Sequence, residues 1–467
     1  MKKNALLALL ALTISANVFA GDFTTAGDGT TWTMAKLAET QGSGVTKSDN
    51  AFTLANRVLI AKGDKFELEG GITLMFDKGI SLEIEGIANL DVPANQRVLI
   101  TRSAEGVVPG VFYMKSDDAV TTVKNIDFEY VGLKNFGEKG LVVDSCTFRY
   151  HAASTANGSS AINMGGSGAE FEVRNTIFEK NERSGVGGAA NASNPVVIEN
   201  CQFLYNGTNN RNFPQVNLTA ATQVVVRNCV VLGDRNKMRV GGIVVSNLLG
   251  AAQDAHLLIE GCLVMDSSYG ISIYSDQIAT VRNNILINND CIANPNQGGS
   301  GLNVTDANSA QVTKFSGNFI MGSFWGASII GGKDINFGRI DVPEDSEDYN
   351  IGQNVFFNNG TDGKTYDLYN NSPNTVYAQN NFWLTAASFN PEAVDDCIVD
   401  KSDDASLGEV IYKTAGMATV PTSISSNVQQ VMKGVQAVYN MLGVRSEEMH
   451  KGLNIVAKDG KVVKVVK

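Results

Sequence analysis

The chain has 467 residues, 47 of them Gly, with 18% charged residues and a formal net charge of −11. That balance argues against nucleic acid or acidic lipid as a partner, because neutralising phosphates takes clustered cations. No segment after the first twenty residues is apolar for long enough to cross a bilayer as a helix, and no heptad pattern runs through the chain.

In chain order, the first signal is a leader. Lys2 and Lys3, the apolar run 5–14 and the small-residue site Val18-Phe19-Ala20 read as a secretory signal peptide over residues 1–20. Gly21 follows it, not Cys, so no bacterial lipid anchor is expected. Cleavage removes two lysines and no acid, which takes the charge from −11 to −13. Residues 21–59 are expected to form an N-terminal cap, with Trp32, Met34, Leu37 and Ala38 on a short helix within 30–41.

A phrase then recurs ten times: apolar, any residue, Asn or Gly, Cys or Asn, any residue, large apolar. Copies fall at 123–128, 143–148, 173–178, 198–203 and 226–231, and then at 259–264, 281–286, 315–320, 351–356 and 378–383. The spacing of about 28 residues is that of stacked repeats. Each copy alternates and is rich in Val, Ile and Phe, so it reads as a strand. The stretches between copies hold a second short strand after Gly, as in Gly242-Ile243-Val244-Val245-Ser246 and Gly270-Ile271-Ser272-Ile273-Tyr274. No helical period separates them. Two or three strands per turn with Gly and Asn at corners describe a coil of parallel rungs. On these motifs residues 60–413 resemble the right-handed parallel β-helix proteins of the pectate-lyase-like class. The fold class is therefore all-β, with about ten or more rungs and capping helices.

The alternation assigns faces. In Ile198-Glu199-Asn200-Cys201, Ile198 points in and Glu199 out. Asn125, Asn175, Asn200, Asn228, Asn283 and Asn380 are expected to turn a corner, where Asn tolerates left-handed backbone. Cys146, Cys201, Cys229 and Cys262 share one position and give way to Asn284, Asn318, Asn354 and Asn381. In-register parallel strands hold side chains about 4.8 Å apart and pointing the same way. Disulfides need closer, facing Cβ atoms. The cysteines are therefore expected to be a buried column of free thiols. The outward residues Lys124, Asp144, Arg174, Glu199, Arg227, Glu260 and Arg282 alternate in sign, which favours one register.

After Trp383, Asn390-Pro391-Glu392 reads as the start of a closing helix. Residues 414–435 read as a linker. Residues 436–467, with Tyr439-Asn440-Met441-Leu442-Gly443, Gly452-Leu453-Asn454-Ile455-Val456 and a Lys-rich end, resemble the C-terminal sorting module of the type IX secretion system of Bacteroidetes. That resemblance implies a small β-sandwich-like tail that addresses the protein to the outer surface through secretion machinery.

Catalytic signals are sparse. His151, His256 and His450 have no repeated partner, and no zinc spacing, nucleophile elbow or phosphate loop occurs. Acids gather in two stretches, Asp341, Glu344, Asp345, Glu347 and Asp348, and then Asp395, Asp396, Asp403 and Asp404. They suit solvated loops, with a Ca²⁺ site as the alternative. Asp234, Arg235, Lys237 and Arg239 crowd one loop, where a lyase base is conceivable and a solvated loop is the plainer reading. The second strand is different: its outward residues are small, polar and nearly uncharged. Asn217, Ser272, Tyr274 and Asn303 there, with Arg235, Arg239 and Trp325 on adjacent loops, are the candidate ligand-binding residues. Amides, hydroxyls and aromatic faces suit sugars.

The sequence favours an exported, monomeric cell-surface or secreted protein that binds extended carbohydrate, as polysaccharide or glycoconjugate, without evident catalysis. A polysaccharide lyase or glycoside hydrolase acting on acidic polysaccharide, and a structural surface protein or adhesin, stay open. No metal or other cofactor is required by the motifs.

Overall fold

The repeated phrase folds as two strands meeting at a corner, not as one. In a computed structural model, the described residues are 21–413 apart from 156, 166–168, 189–194, 220–222, 248–254, 275–276, 307–311 and 385–390, together with the backbone of four short strands between 437 and 466. The expected signal peptide, Asn390, the linker 414–435 and His450 lie outside the described residues. Three sheets of 14 strands each run the length of a parallel β-helix. Sheet A runs from Asp22–Thr24 to Ile398–Val399, sheet B from Thr31–Trp32 to Val410–Ile411, and sheet C from Val45–Ser48 to Phe382–Trp383. Strands within the expected cap, residues 21–59, already belong to these sheets.

The corner between sheets B and C explains the phrase. Asn125, Asn175, Asn200, Asn228, Asn283 and Asn380 all sit at φ between 51° and 57°. Ser145, Gly261 and Gly317 take the same place in other turns, at φ 56°, 64° and 63°. A left-handed residue bends the chain within one position, and Asn and Gly bear that conformation most cheaply. The bend also leaves carbonyls of the preceding rung in need of a donor, and the residue after the corner supplies it. Cys201 Sγ is 3.4 Å from Val173 O and 3.3 Å from Glu199 O, and Cys229 Sγ 3.7 Å from Ile198 O and 3.3 Å from Arg227 O, so each single thiol proton is shared between a carbonyl of the preceding rung and one of its own. Asn284 Nδ2 donates to Ile259 O at 3.0 Å and Asn318 Nδ2 to Val281 O at 2.9 Å. Cys and Asn therefore do one job in one column.

The Asn part of the column adds a ladder. Asn318 Nδ2 donates to Asn354 Oδ1 at 2.8 Å, and Asn354 Nδ2 to Asn381 Oδ1 at 3.0 Å. Each amide oxygen also accepts a backbone N–H, as Asn318 Oδ1 does from Asn284 at 3.1 Å. All four amides are buried and hydrogen-bonded, the condition on which buried polar groups are tolerated. A second ladder, not legible in the repeat, joins Asn181, Asn206 and Gln215 at the sheet C to sheet A corner.

Inside the coil, Phe128, Phe148, Phe178 and Phe203 stack at centroid separations of 4.5, 5.3 and 4.7 Å, close to the rung spacing. All six cysteines are buried and free, as expected for the thiol column. On sheet B the charge column is in register from Lys124 to Arg282. It closes into pairs: Asp144 with Arg174 at 3.5 Å, Glu199 with Arg227 at 2.9 Å and Glu260 with Arg282 at 2.7 Å.

Helix α1, Met34–Glu39, covers the first rung with Met34 and Leu37 fully buried. Thr33 Oγ1 accepts from Lys36 N, and the Glu69 carboxylate accepts from Met34 N and Ala35 N, so its first N–H groups are satisfied from the next turn. Helix α2, Pro391–Asp395, follows the last sheet C strand and buries Val394. The described strands of the C-terminal module form one antiparallel sheet of four, Arg445–Ser446, Ala437–Asn440, Leu453–Lys458 and Lys461–Val466 in spatial order.

Two consequences are measurable. Asn318→Ala removes the donor to Val281 O and the acceptor used by Asn284 N and Asn284 Nδ2. At about 1–3 kcal/mol for each buried group left without a partner, chemical denaturation should show a loss of roughly 3 kcal/mol or more. Glu199→Lys breaks one half-exposed pair and should cost about 1 kcal/mol or less; the reverse ranking would refute the ladder's role. Burial pushes the Cys146, Cys291 and Cys397 thiols up to about 12. The unfolded chain loses these protons near pH 8.5 while the folded chain keeps them, so stability is complete below that pH and falls as pH rises above it. A melting temperature that rises between pH 8.5 and 10 would contradict this.

Candidate functional site

Outward residues of sheet A line a cleft of about 610 Å³. Its floor comes from four successive strands: Ile271–Tyr274, Ser300–Asp306, Trp325–Gly331 and Leu368–Asn370. In each, residues such as Ile273, Leu302, Val304, Ala327 and Leu368 enter the core, so their neighbours face out. Register stacks Ser272, Asn303, Ser328 and Tyr369 in one column and Tyr274, Thr305 and Ile330 in the next. One wall is the segment 292–298, with a short 3-10 turn at Pro295–Gln297 started by Asn294, whose side chain accepts from Asn296 N at 3.0 Å. Gly299 returns this wall to the sheet at φ 87°, where a Cβ would lie 2.4 Å from the Phe324 ring. Asn212, Met238 and Arg239, on earlier segments that likewise enter sheet A from sheet C, complete the lining.

The floor is pre-ordered by its own hydrogen bonds. Asn303 Nδ2 donates to Ser328 Oγ at 2.9 Å, Ser300 Oγ and Ser328 Oγ are 2.7 Å apart, and Thr305 Oγ1 donates to Asn303 Oδ1 at 3.0 Å. Trp325 is fixed by Nε1 donating to Pro295 O at 3.0 Å, and its ring packs on Tyr366 at 4.5 Å and Tyr369 at 5.1 Å. Tyr269 OH donates to Asn212 Oδ1 at 3.0 Å. Burial raises the pKa of Tyr269 and of Tyr274, so both are neutral phenols at pH 7. Among the described residues lining the cleft, Arg239 carries the one charge, and none is Asp or Glu. Arg239 is exposed and has no ion-pair partner among the described residues.

Of the seven candidates from the sequence, Ser272, Tyr274, Asn303, Arg239 and Trp325 meet in this cleft. Two do not. Asn217 lies in the same outward column but two strands earlier, in register with Val244, which in turn pairs Ser272. Arg235 points the other way: it pairs with Asp266 at 3.2 Å and Asp290 at 2.9 Å and donates to Asn288 O at 3.0 Å. It staples a corner. Tyr269, Asn212 and the wall 292–298 were missed, since the strand period says nothing about how inter-strand segments fold back; Tyr369, on the strand Leu368–Asn370, was missed as well.

The other sequence candidates lie elsewhere. His151 is buried with Nε2 at 3.0 Å from Asn157 O, and burial lowers its pKa to about 4. His256 is exposed on sheet B beside Gln223 and Ile278. The acids from Asp341 to Asp348 lie on an excursion from sheet B, closed at its base by Arg339 and Asn350 and paired through Arg339 with Asp341 and Asp348. Asp395 accepts from Tyr412 OH at 2.8 Å, and Asp400, Asp403 and Asp404 shape a turn. Among the described residues no three His, Cys, Asp or Glu side chains converge as a metal-binding set. Also among the described residues, no helix is long and apolar enough to cross a membrane.

With this geometry in hand, comparison with known proteins is brief. Residues 109–320 match the family model described as "right handed beta helix region". Solved structures similar to the chain include the periplasmic alginate epimerase AlgG, at 10% identity and a TM-score of 0.44, covering 82% of this chain and 84% of that one. A single-substitution variant of the same enzyme aligns at 11% identity and 0.45, with the same coverage. No curated protein matches the sequence.

The opposite settings of the two arginines generate a stability test. Arg235→Ala should cost about 1–3 kcal/mol in denaturant unfolding, because its partner Asp266 is only 5% exposed. Arg239→Gln should leave the unfolding midpoint unchanged. An equal loss in both variants would mean that Arg239 is a structural residue.

Proposed function

We propose that this is an exported carbohydrate-binding β-helix protein, and that the cleft on sheet A takes an extended glycan carrying an acidic group. The lining carries this reading. Trp325, Tyr369 and Tyr274 offer flat apolar faces, Asn303, Thr305 and Asn212 offer amide and hydroxyl partners, and Arg239 supplies one cation. Sugars present apolar ring faces and hydroxyls together, and sites that fit them combine the two surface types. The floor strands are stacked rungs, so they offer repeating contacts to a chain lying along the coil axis. Glycoside hydrolysis is not supported by the described lining: it needs two carboxylates roughly 5–9.5 Å apart. The leader-like residues 1–20 and the sorting-like residues 436–467 support an extracellular or cell-surface location and passage through secretion machinery.

The test is a screen of neutral and acidic oligosaccharides, followed by titration of tryptophan fluorescence. Trp32 and Trp383 are buried, which leaves Trp325 as the responsive indole. Binding of an acidic oligosaccharide should weaken at least about tenfold in Trp325→Ala and in Tyr274→Ala, a loss of about 1.4 kcal/mol or more. Absence of binding across the screen would overturn the proposal. Appearance of unsaturated uronate absorbance or new reducing ends would replace it with a lyase or a hydrolase.

A further inference from the structure

The outer face of sheet A offers cations beyond the cleft. The floor column runs back in register from Ser272 through Val244, Asn217, Gly187 and Asn163 to Lys134 and Tyr113. Lys134 is half-buried and forms no ion pair among the described residues, whereas its neighbours Arg57 and Lys115 share Glu83. Lys134 Nζ lies 5.8 Å from the centre of the Tyr113 ring, which meets Phe136 edge-on at 5.9 Å. Phe136 is 45% exposed. A wall rises here too, from the segment that enters sheet A from sheet C. In it Gly158 sits at φ 90°, and a Cβ there would lie 3.0 Å from Lys134 Cε. Asn163 fixes this wall, with Nδ2 donating to Ser160 O at 2.6 Å and Oδ1 accepting from Ser160 N at 3.2 Å.

A second cation connects Lys134 to the cleft. Arg183 lies on the segment just before the strand Val186–Gly188, with its guanidinium 4.5 Å from the centre of the Phe213 ring. Arg183 forms no ion pair among the described residues, and its Nε is buried without a hydrogen-bond partner there. Phe213 adjoins Asn212, which lines the cleft together with Arg239. Burial is the main cause that lowers the pKa of His151, and Arg183 and Lys134 add to it, so both cations lie near that ring. The neighbouring acid Glu182 is engaged elsewhere, accepting from Ala153 N at 2.7 Å. Along sheet A the strand Gly132–Asn135 is two steps from Val186–Gly188, which is two steps from Ile243–Ser246, the strand that follows Arg239. Lys134, Arg183 and Arg239 are thus spread over four steps, roughly 19 Å at about 4.8 Å each. On sheet B the arginines of the outward column close onto acids. These three do not, in a chain of net charge −11.

We propose that Lys134, Arg183 and Arg239 form one cationic track along sheet A, and that it takes a linear glycan bearing several acidic groups and long enough to reach all three. The track rests on the reading of the cleft given above and adds two requirements to it, length and repeated negative charge. Tyr113 and Phe136 offer apolar faces at the far end, as Trp325 and Tyr369 do in the cleft. Carboxylate or sulfate groups on the ligand would supply the charge-assisted hydrogen bonds that the protein's own acids do not give these cations.

The test is calorimetric titration of the full-length protein with long fragments of polygalacturonate and of hyaluronan at several salt concentrations. The parent should bind at least one of them. Lys134→Gln/Arg183→Gln should bind it at least about tenfold more weakly, with a shallower fall in affinity as salt rises. Lys134→Gln alone, which leaves the Arg183 and Phe213 contact intact, should weaken binding measurably at an unchanged unfolding midpoint, and Lys134→Arg should bind like the parent. Affinity and salt dependence equal to the parent in the folded double variant, with binding still weakened in Trp325→Ala, would overturn the track and leave the cleft standing. A loss in Lys134→Arg as large as in Lys134→Gln would overturn it too, because charge would not be the cause. No binding of either polymer by the parent would overturn both the track and the reading it rests on.

Discussion

Everything in this coil depends on how it turns from sheet B to sheet C. One residue in left-handed conformation makes the bend, and the next residue repairs the hydrogen bonding that the bend disrupts. Asn serves both positions because its short amide tolerates the backbone and can donate and accept. Cys serves the second position where the column is otherwise apolar, with a weak thiol donor in a small volume. The Asn stretch pays for its buried polarity by closing a ladder in which every amide is both donor and acceptor. Register is thereby fixed from inside by amides and aromatic stacks, and from outside by charge pairs on sheet B.

A tight corner divides the surface into faces with different duties. Sheet B presents long charged side chains that pair with one another and leave little room for a ligand. Sheet C carries a second apolar cluster, with Val230, Leu263, Met265, Ile287 and Met321, apart from the main core. Sheet A is entered from sheet C by longer segments, and these build walls. The cleft arises where the wall 292–298 rises beside a floor of small polar residues and Trp325. Its polar groups are already bonded to one another, so little side-chain order remains to be imposed on binding.

Much of this was legible from periodicity. The stacking, the corner role of Asn125 and its equivalents, the free thiols and the inward or outward sense of Glu199 all follow from a repeat read against strand geometry. The split of each phrase into two strands was not legible, because a single left-handed residue leaves no gap in the apolar pattern. Of the candidate residues, Ser272, Tyr274 and Asn303 could be put on the outward face because they occupy strand positions of known sense, and Arg239 and Trp325 lie beside that face. The place of Arg235 away from the cleft was not legible, nor was that of Tyr269 within it: loop side chains go where local pairing sends them. Asp266 and Asp290 captured Arg235, and Asn212 holds Tyr269.

The central claim is that ligand recognition sits on sheet A between Tyr274 and Trp325. A crystal structure of the protein soaked with an acidic oligosaccharide tests it most directly. The account predicts sugar rings on Trp325 and Tyr274, running along the coil axis, with the acidic group at Arg239. Density for the ligand on sheet B, or on sheet A away from these residues, would contradict it.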